Sequence, residues 1–207
     1  MTRIKFCGLS RACDIAAANE LMPDYIGFVF APKSRRYVDE KKAAALRALL
    51  HPDILAVGVF VKEETDFIAR LLQEGVIDIV QLHGNENESY LEALRAKTDK
   101  PVIQAFGADS GETVRKAKNS QADFILFDSA GGGTGQIFDW NVLAGVKRPY
   151  FLAGGLNAEN AEEAVRALHP YAVDVSSGIE TNGVKDREKM RKFAAAVRAA
   201  AGKDEKR

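Results

Sequence analysis

Cysteine, histidine and tryptophan are scarce in this chain, at two, three and one among 207 residues. Two cysteines, Cys7 and Cys13, furnish neither a disulfide framework nor a four-ligand zinc site. The three histidines, His51, His83 and His169, stand on separate segments, so no local cluster suggests a metal. An excess of charge is also lacking, because 29 Lys and Arg balance 29 Asp and Glu. That balance argues against nucleic-acid or anionic-membrane partners, while leaving room for a local basic pocket. No apolar run approaches roughly 18 residues, so nothing reads as a membrane span. The charged opening MTRIKFCGLSR does not read as a signal peptide. The expected compartment is a reducing cytoplasm. No linker, repeat or charge block divides the chain, and one domain over residues 1–207 is expected, with 202–207 as a frayed polar tail. Hydrophobic residues at 46% suffice to bury a core without staples.

What is present is a beat of strand and helix. Short runs rich in Val, Ile, Phe and Leu recur at 3–7, 25–30, 54–61, 77–83, 101–106, 123–128, 150–153 and 172–176. Between them lie apolar spacings of three and four. Examples are Ala43, Leu46, Leu49 and Leu50 within 41–50, and Phe67, Ile68, Leu71 and Leu72 within 65–74. Further helices are expected over 89–97, 161–168 and 186–201, with Gly75 as a C-cap signal and Asn157 as an N-cap. Eight strands alternating with about eight helices predict an α/β protein, a single-domain (β/α)8 TIM barrel. The competing doubly wound sheet usually opens with a G-x-G-x-x-G turn, and Gly8-Leu9-Ser10-Arg11 is not one.

In such a barrel the chemistry sits at the C-terminal ends of the strands. Cys7 ends the first, Arg35 and Arg36 follow the second, His83 ends the fourth and Asp128 the sixth. Alternation in the first strand turns Ile4 and Phe6 to the helices and Lys5 and Cys7 inward. Two readings of Cys7 stay open. It is either a small buried apolar residue or a thiolate favoured by the nearby Lys5 cation. Cys13, within the following helix, reads as packing. Asp128 reads either as an acid at a strand tip or as a loop carboxylate. Arg35 and Arg36 read as a carboxylate grip or as a solvated charge run. His83 is open between ligand, acid and satisfied polar residue. Glycine turns add a more specific signal. Gly131-Gly132-Gly133-Thr134-Gly135 follows the sixth strand, Gly154-Gly155 the seventh, and Ser176-Ser177-Gly178 the eighth. The last two match the phosphate site that barrels build after strands seven and eight.

Taken in order, these motifs resemble the phosphoribosylanthranilate isomerases of tryptophan biosynthesis. The matching stretches are Lys5-Phe6-Cys7-Gly8-Leu9-Ser10, Ser34-Arg35-Arg36-Tyr37-Val38, Gln81-Leu82-His83-Gly84, Phe127-Asp128-Ser129, Ala153-Gly154-Gly155-Leu156-Asn157 and Val173 to Glu180, followed by Gly183-Val184-Lys185-Asp186. The resemblance implies an Amadori rearrangement of N-(5-phosphoribosyl)anthranilate, with no cofactor and no metal. It implies Asp128 as general acid and Cys7 as general base, with Lys5 helping to keep Cys7 ionised. It places Arg36 on the anthranilate carboxylate, Gly154, Gly155, Ser177 and Gly178 around the phosphate, and His83 and Asp174 in supporting positions. The partner is a small molecule, and the chain is expected as a monomer or homodimer. The alternatives are another phosphosugar barrel enzyme or a phosphate-ligand binder without chemistry.

Overall fold

The structure is a computed structural model and describes residues 1–108, 110–129 and 138–204. Eight parallel strands close into a barrel in sequence order. They are β1 (Arg3–Cys7), β2 (Tyr25–Val29), β3 (Leu55–Phe60), β4 (Ile79–Leu82), β5 (Val102–Gly107), β6 (Phe124–Asp128), β7 (Tyr150–Leu152) and β8 (Ala172–Val175). Each expected strand is present; β1 keeps its expected bounds, β5 is shifted by one residue to end at Gly107, and the others are shortened by one to three residues. β1 closes the barrel on β8, pairing Lys5 with Asp174 in register.

Among the described residues seven α-helices pack outside: α1 (Ala12–Leu21), α2 (Glu40–Arg47), α3 (Thr65–Gln73), α4 (Glu88–Arg95), α5 (Gly111–Asn119), α6 (Ala161–Leu168) and α7 (Arg187–Asp204). Asp39, Asn87 and Ser110 cap α2, α4 and α5 by accepting from the amides of Lys42, Tyr90 and Thr113. The apolar stripes do what their spacing requires. Ile68, Leu71 and Leu72 of α3 and Ala161, Ala164 and Val165 of α6 are buried against the outward side chains of the strands, such as Phe6, Phe28 and Phe127.

The interior is a separate apolar cluster. Val57, Ile79, Ile103, Leu126 and Phe151 fill the floor, and the smaller group of Cys7, Val29 and Val59 lies nearer the C-terminal mouth. The apolar packing therefore supports the pocket from below, and the polar groups stand above it.

Several local expectations are corrected. After β6 the described chain forms a single 3-10 turn, Trp140–Leu143, in place of an eighth helix. Its Asp139 side chain accepts from Asn141 in a turn too short to propagate. α2 ends at Arg47, so Leu49 leaves the helical stripe and is 55% exposed while Leu50 stays buried. Asn157 is one turn too early for the N-cap. Its side chain accepts from Glu159 and Asn160 in a preliminary turn, and Asn160 occupies the cap position of α6. Gly75 does lie just past α3 with φ +69, as a C-terminal glycine should. Cys13 is exposed on α1 rather than packed, because it falls on the helix face turned from the core formed by Ile15, Ala17 and Ala18. The last helix continues through Gly202 to Asp204, since one glycine costs a helix only about 1 kcal/mol.

Candidate active site

A cavity of about 260 Å³ opens at the C-terminal mouth of the barrel. Cys7, Arg36, His83, Asp128, Gly154, Gly155, Asp174 and Ser177 all line it. The fold thus collects residues that are far apart in sequence. Cys7, Asp128 and Asp174 come from the strands, and the others from the loops that follow the strand ends, all at the same end of the parallel barrel. Gly178 is set just behind Ser177, and the turn at Gly131 to Gly135 lies outside the described residues.

Cys7 is the innermost reactive group. Gly27 on β2 faces it, and a Cβ there would lie 2.9 Å from the Cys7 sulfur, so the glycine makes room for the thiol. Beneath it, Lys5 is fully buried and donates to Asp174 Oδ1 at 2.9 Å. Burial pulls the Lys5 ammonium down, but Asp174 and then Cys7 outweigh it and hold the lysine above its usual range. Lys5 favours the Cys7 thiolate, as its place beside the sulfur implies, but burial works against it. Burial is the largest influence on Cys7 and pushes its thiol up. Lys5 and Lys185 pull the other way without winning, partly because Asp174 adds a like charge.

Asp128 is buried at the tip of β6. Its Oδ1 accepts from the Ser129 amide at 2.8 Å, and its Oδ2 stands 3.5 Å from His83 Nε2. His83 is oriented on its other side by the Gln81 amide, 3.0 Å from Nδ1. One face of the carboxylate is thus held by backbone, and the other meets an imidazole. His83 is thus held between the Asp128 carboxylate and the Gln81 amide. Among the described residues no three His, Cys, Asp or Glu side chains are arranged to hold an ion.

The two small-residue turns interlock. Gly154 and Gly155 have φ of +84 and +65, a left-handed pair that turns the chain sharply after β7. Ser177–Ile179 forms a short 3-10 turn directly after β8. A Cβ on Gly178 would lie 1.9 Å from the Leu156 carbonyl oxygen. Gly178→Ala must therefore push one turn off the other. We expect it to cost about 2 kcal/mol by overpacking, lowering the melting temperature by roughly 4–8 °C. Calorimetry checks this, and an unchanged transition would show that Leu156 yields freely.

Arg36 does reach the cavity, but not as a free cation. Its Nε and Nη2 donate to the two oxygens of Glu180 at 2.6 and 3.0 Å. Sequence reasoning assigns no role to Glu180, Lys185, Gln81 or Gly27, yet all four stand at or beside the site. A signal for the first two is present. Asn182-Gly183 is a two-residue hairpin dipeptide, and it joins β9 (Glu180–Thr181) to β10 (Val184–Lys185).

A closed (β/α)8 barrel with titratable groups gathered at its C-terminal mouth defines the chain as a TIM-barrel enzyme. Comparison with known proteins narrows the class. A family model described as N-(5'phosphoribosyl)anthranilate (PRA) isomerase matches residues 4–196. The protein named N-(5'-phosphoribosyl)anthranilate isomerase from Endomicrobium trichonymphae is 47% identical over 194 residues, covering 92% of this chain and 95% of that protein. Among solved structures, a phosphoribosyl anthranilate isomerase in complex with reduced 1-(o-carboxyphenylamino)-1-deoxyribulose 5-phosphate superposes with a TM-score of 0.86 at 33% identity, covering 96% of this chain and 100% of that one. A monomeric form of the dimeric isomerase from Thermotoga maritima gives the same TM-score, identity and coverage. The chain belongs to the phosphoribosylanthranilate isomerase family, and its reaction is the isomerisation of N-(5'-phosphoribosyl)anthranilate in tryptophan biosynthesis.

Proposed function

We propose that Asp128 and Cys7 divide the isomerisation between them as acid and base. The observation that carries this reading is that both end barrel strands, are buried, and line one cavity beside the two glycine turns. Asp128, in its acid form, gives its proton to the furanose ring oxygen. The C1–O bond breaks, and the nitrogen lone pair closes the iminium. Cys7, as thiolate, takes the proton from C2. The electron pair left behind neutralises the iminium and forms an enolamine, which tautomerises to the 2-ketone, 1-(2-carboxyphenylamino)-1-deoxyribulose 5-phosphate. One group must begin protonated and the other deprotonated, so their environments must differ. Their surroundings differ in kind: the thiol has a lysine below it, and the carboxylate has an imidazole beside it.

The remaining groups bind. Gly154, Gly155, Ser177 and Gly178 receive the phosphate on backbone amides, as small residues permit close approach. Arg36 pairs with the anthranilate carboxylate. His83 and Asp174 support the acid and the buried lysine respectively. The protein works on a small molecule in the cytoplasm, as a monomer or homodimer, with neither nucleic acid nor membrane as partner. Among the described residues no helix is long and apolar enough to cross a membrane.

The test is turnover. Phosphoribosylanthranilate is generated in situ and its loss followed by anthranilate fluorescence in EDTA. Rapid loss at an undiminished rate is expected. A rate abolished by EDTA and restored by a divalent ion would overturn the two-residue acid–base scheme.

A further inference from the structure

Glu180 is a buried carboxylate with an unusual number of partners. It accepts from Arg36 Nε and Nη2, from Arg35 Nη2 at 2.9 Å and from Lys185 Nζ at 2.7 Å. Three cations therefore converge on one anion, and the cluster keeps an excess of positive charge beside the cavity. Burial favours the neutral acid, but the hydrogen bonds from Arg36 and Lys185 outweigh it and hold Glu180 below the usual carboxylate range.

The pairing with Arg36 uses one particular edge of the guanidinium. Nε and one Nη are engaged side-on by Glu180. Nη1 donates to no described residue, and the end-on edge remains for a second carboxylate. The arginine has little freedom elsewhere. Its stem lies so close to Gly8 that a Cβ there would come within 2.4 Å of Arg36 Cδ. Glu180 is itself fixed. The hairpin register sets it opposite Lys185, with Asn182 and Gly183 in left-handed turn conformations. Arg11 donates to the Lys185 carbonyl at 2.7 Å, and Lys189 to the Glu180 carbonyl at 2.7 Å. Lys185 also donates to the Ser176 carbonyl at 2.9 Å, directly before the Ser177 turn.

We infer that Glu180 is a positioning residue for substrate recognition: it holds Arg36 by its side edge so that the end edge faces the aryl carboxylate. This rests on the reading of Arg36 given above. The alternative physical effect has the opposite sign. As a nearby anion, Glu180 repels the incoming carboxylate, so that removing it would tighten binding. Geometry and charge are separable because Glu180→Asp keeps the charge and withdraws the oxygens by one methylene.

The experiment compares two substrates, N-(5-phosphoribosyl)anthranilate and the analogue without the carboxylate, made by condensing aniline with ribose 5-phosphate. The ratio of their kcat/KM values is measured in the wild type and in Glu180→Asp, Glu180→Gln and Arg36→Met. Intrinsic differences between the two compounds cancel when each variant's ratio is divided by the wild-type ratio. We expect Glu180→Asp and Glu180→Gln each to lower the ratio by about tenfold, through KM for the anthranilate compound. The aniline compound should change by no more than about twofold, which also reports an intact fold. A ratio retained in both Glu180 variants while Arg36→Met loses it would overturn the positioning role. A ratio raised in Glu180→Gln would show that its charge, not its hold, governs the site. A ratio unchanged in Arg36→Met would remove the Arg36 reading and this inference with it.

Discussion

Asp128→Asn is expected to lower kcat about a thousandfold with KM changed by no more than about threefold. General acid catalysis by a placed group is worth roughly 10²–10⁴ in rate, and the amide keeps the shape of the carboxyl without its acidic proton. The amide carbonyl can still accept from the Ser129 backbone, so the β6 tip stays in place. What is lost is the donor for the ring oxygen, and ring opening then leaves an unprotonated alkoxide. The variant has a further signature. With the carboxyl gone, the residual rate depends on the ionisation of Cys7 alone. Burial raises that thiol, so the thiolate fraction keeps growing with pH beyond the ordinary thiol range. The residual kcat/KM should therefore climb steadily on the alkaline side. Steady-state kinetics across pH measure both effects. A loss of tenfold or less would assign the proton to another group, with His83 the nearest candidate at 3.5 Å.

Cys7→Ala should be at least as damaging, by about 10³ or more in kcat, because the proposed scheme gives the C2 proton to the Cys7 thiolate. Cys7→Ser should fare little better, since a hydroxyl ionises far less readily than a thiol. Both variants should fold. The side chain is small, it packs with Val29, Val59 and Ala31, and truncation costs about 1 kcal/mol. Binding should persist, because the turns at Gly154 and Ser177 do not depend on the thiol. Single-turnover kinetics and inhibition by inorganic phosphate separate these outcomes. Near-normal turnover in Cys7→Ala would sink the base assignment. Burial opposes the thiolate, and Lys5, though engaged by Asp174, pulls toward it.

Those two residues also show how far a sequence can be read. That Cys7 points inward follows from alternation in five residues, and the placing of its neighbour Lys5 follows from the same rule. That the cation fails to dominate does not follow, because Asp174 lies 169 positions from Lys5 and meets it only when β8 closes the barrel on β1. Arg36 is a similar case. Its place near the mouth is readable from its position after the second strand, but its partner is not. Glu180 comes from a hairpin after the eighth strand, and only the closed ring brings those two loops together. Cys13 and Leu49 escape sequence reading for a local reason. Helical spacing assigns faces only while the helix lasts and only relative to a known core direction.

The alternation of eight strands with helices, and the strand ends that carry chemistry, are already legible in the order of residues. So are the small residues after strands seven and eight. These are properties of local period and of backbone freedom, which neighbouring residues set. The tertiary structure alone decided which charges pair, how deeply each is buried and therefore which proton each keeps. A pKa depends on distance and on exclusion of water, and both exist only after the strands from the two ends of the chain have met.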